Sequence, residues 1–110
     1  MNENPVTLIN VFSVDPANQE RLVRILTQVT EGIVRHKSGF RSARLFRSLD
    51  GKKVTMYAQW ESGEAYQAMR EDPAPRPLLE QALAIAQFDP GMYEVADIFL
   101  PESPKGAHEA

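Results

Sequence analysis

Asp50-Gly51 divides two runs of strand-forming residues, Phe40 to Leu49 and Lys52 to Glu61, and it restricts the fold more than any other dipeptide in the chain. Asp-Gly between such runs is a strong short-range signal for a tight turn, so the two runs are expected to pair as an antiparallel hairpin. Upstream, Val6 to Val14 is dense in β-branched and aromatic residues and reads as a first strand. Asp15-Pro16 then offers an N-cap side chain followed by a proline, which is tolerated at the first helical position. Leu22, Ile25, Leu26, Val29, Ile33 and Val34 recur at helical spacing, whereas Glu20, Arg21, Arg24, Gln28 and Arg35 fall on the other side. This predicts a helix of about five turns packed on a sheet by one apolar stripe. Ser38-Gly39 is expected to end it, with Gly39 in a left-handed C-cap conformation.

Beyond the hairpin, Ser62 is a helix cap, and Ala65, Ala68 and Met69 share one face of the helix that follows. That helix should stop near Asp72, because Pro73 disfavours helix in the residue before it. The segment from Asp72 to Pro77 is too rich in proline to be expected regular. A third helix is predicted at about Leu78 to Ala86, a turn at Asp89-Pro90-Gly91, and a last strand from Met92 to Leu100. Residues 1–5 form an N-terminal extension, 6–100 the folded domain, and 101–110 a tail or an arm laid on a partner. Strand, helix, strand, strand, helix, helix, strand is a split β-α-β order. It predicts an α+β, ferredoxin-like domain whose antiparallel four-stranded sheet carries helices on one face. Ile9 and Val11 on the first strand and Tyr57 on the third fall on the opposite face from Leu8, Phe12, Val54, Met56 and Trp60. Both faces are therefore expected to be buried, the second against its copy in a homodimer.

Composition narrows the function classes. A chain of 110 residues with 43% hydrophobic residues has material for one compact core. Its 12 Lys and Arg are scattered among 15 Asp and Glu, which argues against a nucleic-acid partner. The absence of cysteine removes disulfides, thiolate nucleophiles and cysteine metal sites. Without a basic, apolar leader or an apolar run near ~18 residues, no membrane partner is expected and the cytoplasm is the expected location. His36 and His108 have no companions at metal-ligand spacing, there is no G-x-S-x-G elbow, and the glycines are isolated. No metal and no other cofactor is expected. What remains is a set of polar groups on apolar strand faces. Asn10 shares the face of Leu8 and Phe12, where an amide is costly unless satisfied. Trp60 shares the face of Met56 and Ala58, and Tyr66 follows it on the next helix. Each could be an ordinary packing residue. Together they outline an apolar pocket with a few neutral hydrogen-bonding groups, suited to a flat aromatic ligand, with Phe12, Met56, Ala58 and Met69 as its apolar lining.

The strings Asn10-Val-Phe-Ser-Val-Asp-Pro-Ala-Asn-Gln19, Ser38-Gly-Phe40, Arg47-Ser-Leu-Asp-Gly51 and Tyr57-Ala-Gln-Trp-Glu-Ser62 resemble the antibiotic biosynthesis monooxygenase family of dimeric α+β barrels. The likeness spans about Val6 to Phe99, and the last string, with Tyr66 four residues after its serine, is the most specific part. It is similar to the small anthrone oxygenases of aromatic polyketide pathways, which oxidise polycyclic phenols with O₂ and use no flavin, haem or metal. The resemblance implies catalytic roles for Trp60, Asn10 and Tyr66, a small aromatic substrate with O₂, and a homodimer. Met56 stands where several anthrone oxygenases carry asparagine, and the Glu64 to Ala86 segment lacks the histidine of the haem-degrading branch. The alternatives are a non-catalytic dimer that binds small molecules and a haem-binding or haem-degrading monooxygenase.

Overall fold

Residues 5–102 are described by a computed structural model. The strands are β1 (Val6–Val14), β2 (Phe40–Arg47), β3 (Lys53–Trp60), β4 (Ala86–Asp89) and β5 (Met92–Tyr93). The helices are α1 (Gln19–Gly32), α2 (Gly63–Glu71) and α3 (Arg76–Ile85). All pairings are antiparallel, in the order β2-β3-β1-β4, with β5 also on β1. This is the split β-α-β arrangement expected from the sequence, an α+β fold of the ferredoxin-like type.

The helices cover one sheet face because the alternation of β1 and β3 places Leu8, Phe12, Val14, Val54, Ala58 and Trp60 there, all buried. Leu22, Ile25, Leu26 and Val29 of α1 pack onto that face, joined by Ala82 of α3. Burying each of the larger apolar side chains contributes roughly 1.5–3 kcal/mol. The N-terminus of α1 is tied to the hairpin: Gln19 Nε2 donates to Ser48 O and Lys53 O, both at 3.0 Å, and Arg47 pairs with Glu20. Among the described residues no helix lies over the opposite face. Ile9, Val11 and Tyr57 lie there partly buried, and Phe46 is more than half exposed. Among the described residues no helix is long and apolar enough to cross a membrane.

Several expected boundaries are corrected. The first helix is divided: Pro16–Asn18 is a 3₁₀ turn, with Asp15 Oδ1 accepting from Ala17 N at 2.9 Å, and α1 ends at Gly32. Ile33 leaves the helical region at φ −129° and Val34–His36 is a second 3₁₀ turn. Glycine and two β-branched residues in succession are weak helix formers, and the bend carries Val34 toward the sheet. Gly39 therefore caps no α-helix. Its φ of +88° leads the chain into β2, where a Cβ would run into Ala65.

The hairpin forms, but through a longer loop than two residues. Only Gly51 has positive φ, +81°, whereas a type I′ turn demands it at both central positions. Ser48 closes the loop instead. Its N–H donates to Lys53 O at 2.9 Å, and its Oγ accepts from Lys53 N at 2.8 Å. The same hydroxyl, with the Lys52 N–H, holds the Asp50 carboxyl below its ordinary range.

On α2, Ser62 Oγ accepts from Ala65 N at 3.1 Å, as a cap should, and the helix ends before Asp72. The face buried most is that of Tyr66; Ala68 is exposed. The next helix begins inside the proline-rich segment expected to be irregular, because Pro75 and Pro77 fall at its cap and first turn, where backbone N–H groups have no helical partner. The strand expected over Met92 to Leu100 is replaced by β4 and β5, separated by Pro90-Gly91. Phe88 stacks on Phe12 with ring centroids 4.8 Å apart, which draws residues 86–89 onto β1. Residues 94–102 have no regular structure and expose Val95, Ile98, Phe99 (86%) and Leu100 (81%). The expected N-terminal extension, apart from Pro5, and the tail beyond Glu102 lie outside the described residues.

Gly39→Ala is expected to destabilise the protein by more than about 1 kcal/mol, since it meets both a left-handed backbone and the Ala65 side chain. Gly32→Ala, with nothing near its added Cβ, should be neutral or slightly stabilising. Thermal unfolding of the two variants tests the contrast.

Candidate functional site

Strand register builds the site. Across the helix-covered face, Asn10 of β1 lies opposite Met56, which lies opposite Leu45. The next row is Leu8, Ala58 and Ala43; the one after is Val6, Trp60 and Phe40. Two alanines side by side between rows of larger residues leave a hollow in the sheet surface. Helices α1, α2 and α3 roof it without filling it, and a cavity of about 210 Å³ remains. That is more than the roughly 150 Å³ that holds a benzene, and below the ~300 Å³ of ordinary ligand pockets. It has room for about two fused rings, and a larger ring system would project through the rim. The lining residues that reach solvent, Arg70, Leu83 and Phe88, mark that rim.

Every residue singled out from the sequence lines this cavity: Asn10, Trp60, Tyr66, Phe12, Met56, Ala58 and Met69. Trp60 is buried between two rings, edge-on to Phe40 at 5.4 Å and to Tyr66 at 5.9 Å between centroids. This aromatic cluster fixes the indole plane and ties the end of β3 to α2. Asn10 Oδ1 is buried and has no hydrogen-bond partner among the described residues. An unpaired buried carbonyl costs ~1–3 kcal/mol. A donor supplied by a ligand would remove that cost.

Sequence reasoning missed Arg70, Phe40, Phe88, Val34 and Leu79, which also line the cavity. Arg70 had a signal, four residues after Tyr66 on one helix face. Its Nη1 donates to Tyr66 Oη at 3.2 Å, and its Cζ lies 5.8 Å from the ring centroid. Phe88 had none, because it fell between the helix expected to end at about Ala86 and the turn expected at Asp89-Pro90-Gly91. Close to the roof, Lys37 pairs with Asp72 and bridges the loop before β2 to the α2–α3 connection. This ammonium, followed by the Ala74 N–H, holds the Asp72 carboxyl below its ordinary value of 3.8. Among the described residues no three His, Asp or Glu side chains converge as a metal site requires. His36 Nε2 lies 3.1 Å from Glu31 O, and His108 lies outside the described residues.

Asn10→Leu keeps the branched shape, adds volume that the adjoining cavity can take, and removes the orphaned carbonyl, so the ligand-free protein should gain about 1 kcal/mol in stability while losing affinity for a phenolic ligand. Thermal unfolding without ligand checks the first part. A loss of stability would mean that Asn10 is satisfied in solution.

The family model for antibiotic biosynthesis monooxygenase matches residues 5–76. Over 101 residues, 92% of this chain and 90% of the relative, the chain is 42% identical to the tetracenomycin F1 monooxygenase of Streptomyces glaucescens. The monooxygenase from the ActVA-Orf6 gene of Streptomyces coelicolor, solved in complex with nanaomycin D, matches with a TM-score of 0.78 at 30% identity, over 90% of this chain and 94% of that one. SnoaB of Streptomyces nogalater, a cofactor-independent oxygenase, shares the fold with a TM-score of 0.69 at 24% identity, over 90% of this chain and 99% of that one. With most of its length matched by the family model and by a relative of this identity, the chain belongs to the antibiotic biosynthesis monooxygenase family.

Proposed function

We propose that the protein is a cofactor-independent monooxygenase that oxidises a polycyclic phenol of the anthrone type with O₂. The observation that carries this reading is the buried, unpartnered Asn10 carbonyl in an otherwise apolar cavity, an acceptor placed where a phenolic hydroxyl could donate. The 42% identical relative, a tetracenomycin F1 monooxygenase, supports the same reaction class.

The chemistry needs little from the protein. Triplet O₂ reacts slowly with closed-shell molecules, but an electron-rich carbanion or phenolate can give it one electron. The resulting superoxide and carbon radical combine to a hydroperoxide at the ring methylene. Loss of water from that hydroperoxide leaves a ketone. One oxygen atom ends in the product and the other in water, so no external reductant is consumed. The residues assigned here bind the rings, stabilise the ionised substrate and keep water from the intermediate. The Trp60 N–H and Tyr66 O–H are neutral donors for the developing oxyanion. Asn10 Oδ1 accepts from a substrate hydroxyl. Among the described residues no carboxylate or imidazole lines the cavity, and in this reading deprotonation rests on the acidity of the substrate itself.

The exposed apolar side chains of residues 94–100 and the helix-free sheet face are two surfaces that a second copy would cover, so the working form in this reading is a homodimer. Light scattering at micromolar concentration should give twice the 12.4 kDa chain mass. A monomer mass would remove the dimer from the reading.

The activity test uses dithranol, a dihydroxyanthrone, with chelator-treated, flavin-free protein, following O₂ uptake and quinone absorbance. Trp60→Phe keeps most of the volume and removes the N–H. Turnover should fall roughly tenfold to a thousandfold, for a stability cost of about 1 to 2 kcal/mol. Parental turnover in this variant would leave Trp60 as a packing residue only.

A further inference from the structure

Among the described residues Arg70 is the one side chain with a formal charge that lines the cavity, and the activity proposed above does not use it. The residue is exposed, but its head is tethered. Nη1 donates to Tyr66 Oη at 3.2 Å, and the guanidinium carbon stands 5.8 Å from the centre of the Tyr66 ring, so the group is folded back over α2 toward the rim. Among the described residues the ion pairs are Lys37 with Asp72 and Arg47 with Glu20; no carboxylate pairs with Arg70. A planar guanidinium carries five N–H donors in a fork that matches a carboxylate at two points. With one Nη1 hydrogen directed at Tyr66, donors remain for a ligand. Tyr66 is also left in a defined state: its oxygen accepts from Arg70, which leaves its O–H free to donate.

We infer that the substrate is an acidic aromatic whose carboxylate docks at the cavity rim on Arg70, while its rings occupy the hollow over Ala43 and Ala58. Cavity size leads to the same place. A volume of about 210 Å³ encloses part of a polycyclic ligand, and what projects meets the rim where Arg70 stands. A carboxylate there stays partly solvated, so little desolvation opposes its pairing, and the apolar interior is spared a charge. Arg70 in this role sets which aromatic is accepted and in which direction it enters. The inference rests on the cavity being an aromatic-ligand site, as proposed above, but not on oxygenation taking place there.

The test is a binding titration on the full chain, read by quenching of Trp60, the single tryptophan. The probes are rhein, a dihydroxyanthraquinone carboxylic acid, and aloe-emodin, the same ring system with a neutral hydroxymethyl in place of the carboxyl. The parent protein should bind rhein about tenfold or more tightly over aloe-emodin. Arg70→Met should erase the difference by weakening rhein alone, and Arg70→Lys should restore part of it. Equal affinities in the parent, a preference that survives Arg70→Met, or no quenching by either probe would overturn the inference. Loss of the oxygenase reading, in contrast, would leave the rhein preference intact, because the titration reads binding alone.

Discussion

The site depends on the register of β1 against β3. Pairing of Val6 with Trp60 through Ser13 with Lys53 brings Asn10 beside Met56 and Leu8 beside Ala58. A shift of one residue would send Asn10 to the helix-free face and bring Ile9 and Val11 under the helices. The register is held from both ends. Ser48 and the Gln19 amide fix the hairpin loop, while Trp60, between Phe40 and Tyr66, fixes the far end. Replacing such a buried Trp by a small residue costs ~3–5 kcal/mol, more than any single hydrogen bond in the loop. Aromatic packing therefore dominates the positioning of the site.

The cavity is a consequence of side-chain size on a correctly paired sheet. Ala43 and Ala58 would be unremarkable in separate rows; as neighbours they leave space that close-packed interiors ordinarily fill. The surrounding polar groups are few and unlike one another: a carbonyl acceptor on Asn10, a donor on Trp60, a hydroxyl on Tyr66 oriented by Arg70. Such a set can recognise a flat molecule with oxygen at defined edges. It offers little to a phosphate or a sugar, which would need many more hydrogen bonds than these walls provide.

Much of this arrangement was legible in the sequence. Periodicity placed Leu22, Ile25, Leu26 and Val29 on one helix face, and Asp50-Gly51 and Ser62 marked a hairpin and a helix start that the fold contains. Strand alternation grouped Asn10 with Phe12, and Trp60 with Met56 and Ala58. All of these side chains line one cavity. The errors fell where local propensity was opposed by contacts distant in sequence. Residues 86–89 carry no strong strand signal, yet they join β1 because Phe88 finds Phe12. Arg76 and Pro77 begin a helix because a proline-rich start is compatible with a first turn once Leu78, Leu79 and Ala82 have a surface to pack on. Leu83 and Phe88 could not be assigned to the rim before those elements were in place.

By itself the sequence determined the order of elements through the second helix, the covered face of the sheet, and the apolar character of the strand residues that line the pocket. These follow from the period of hydrophobic residues and from local backbone preferences, which act within a few residues of one another. Only the tertiary structure decided that two alanines become neighbours, that the Asn10 carbonyl is left without a partner, and that Arg70 folds back over Tyr66. Each of these depends on distances between segments far apart in the chain or on the direction of one side chain, and neither is encoded in spacing alone.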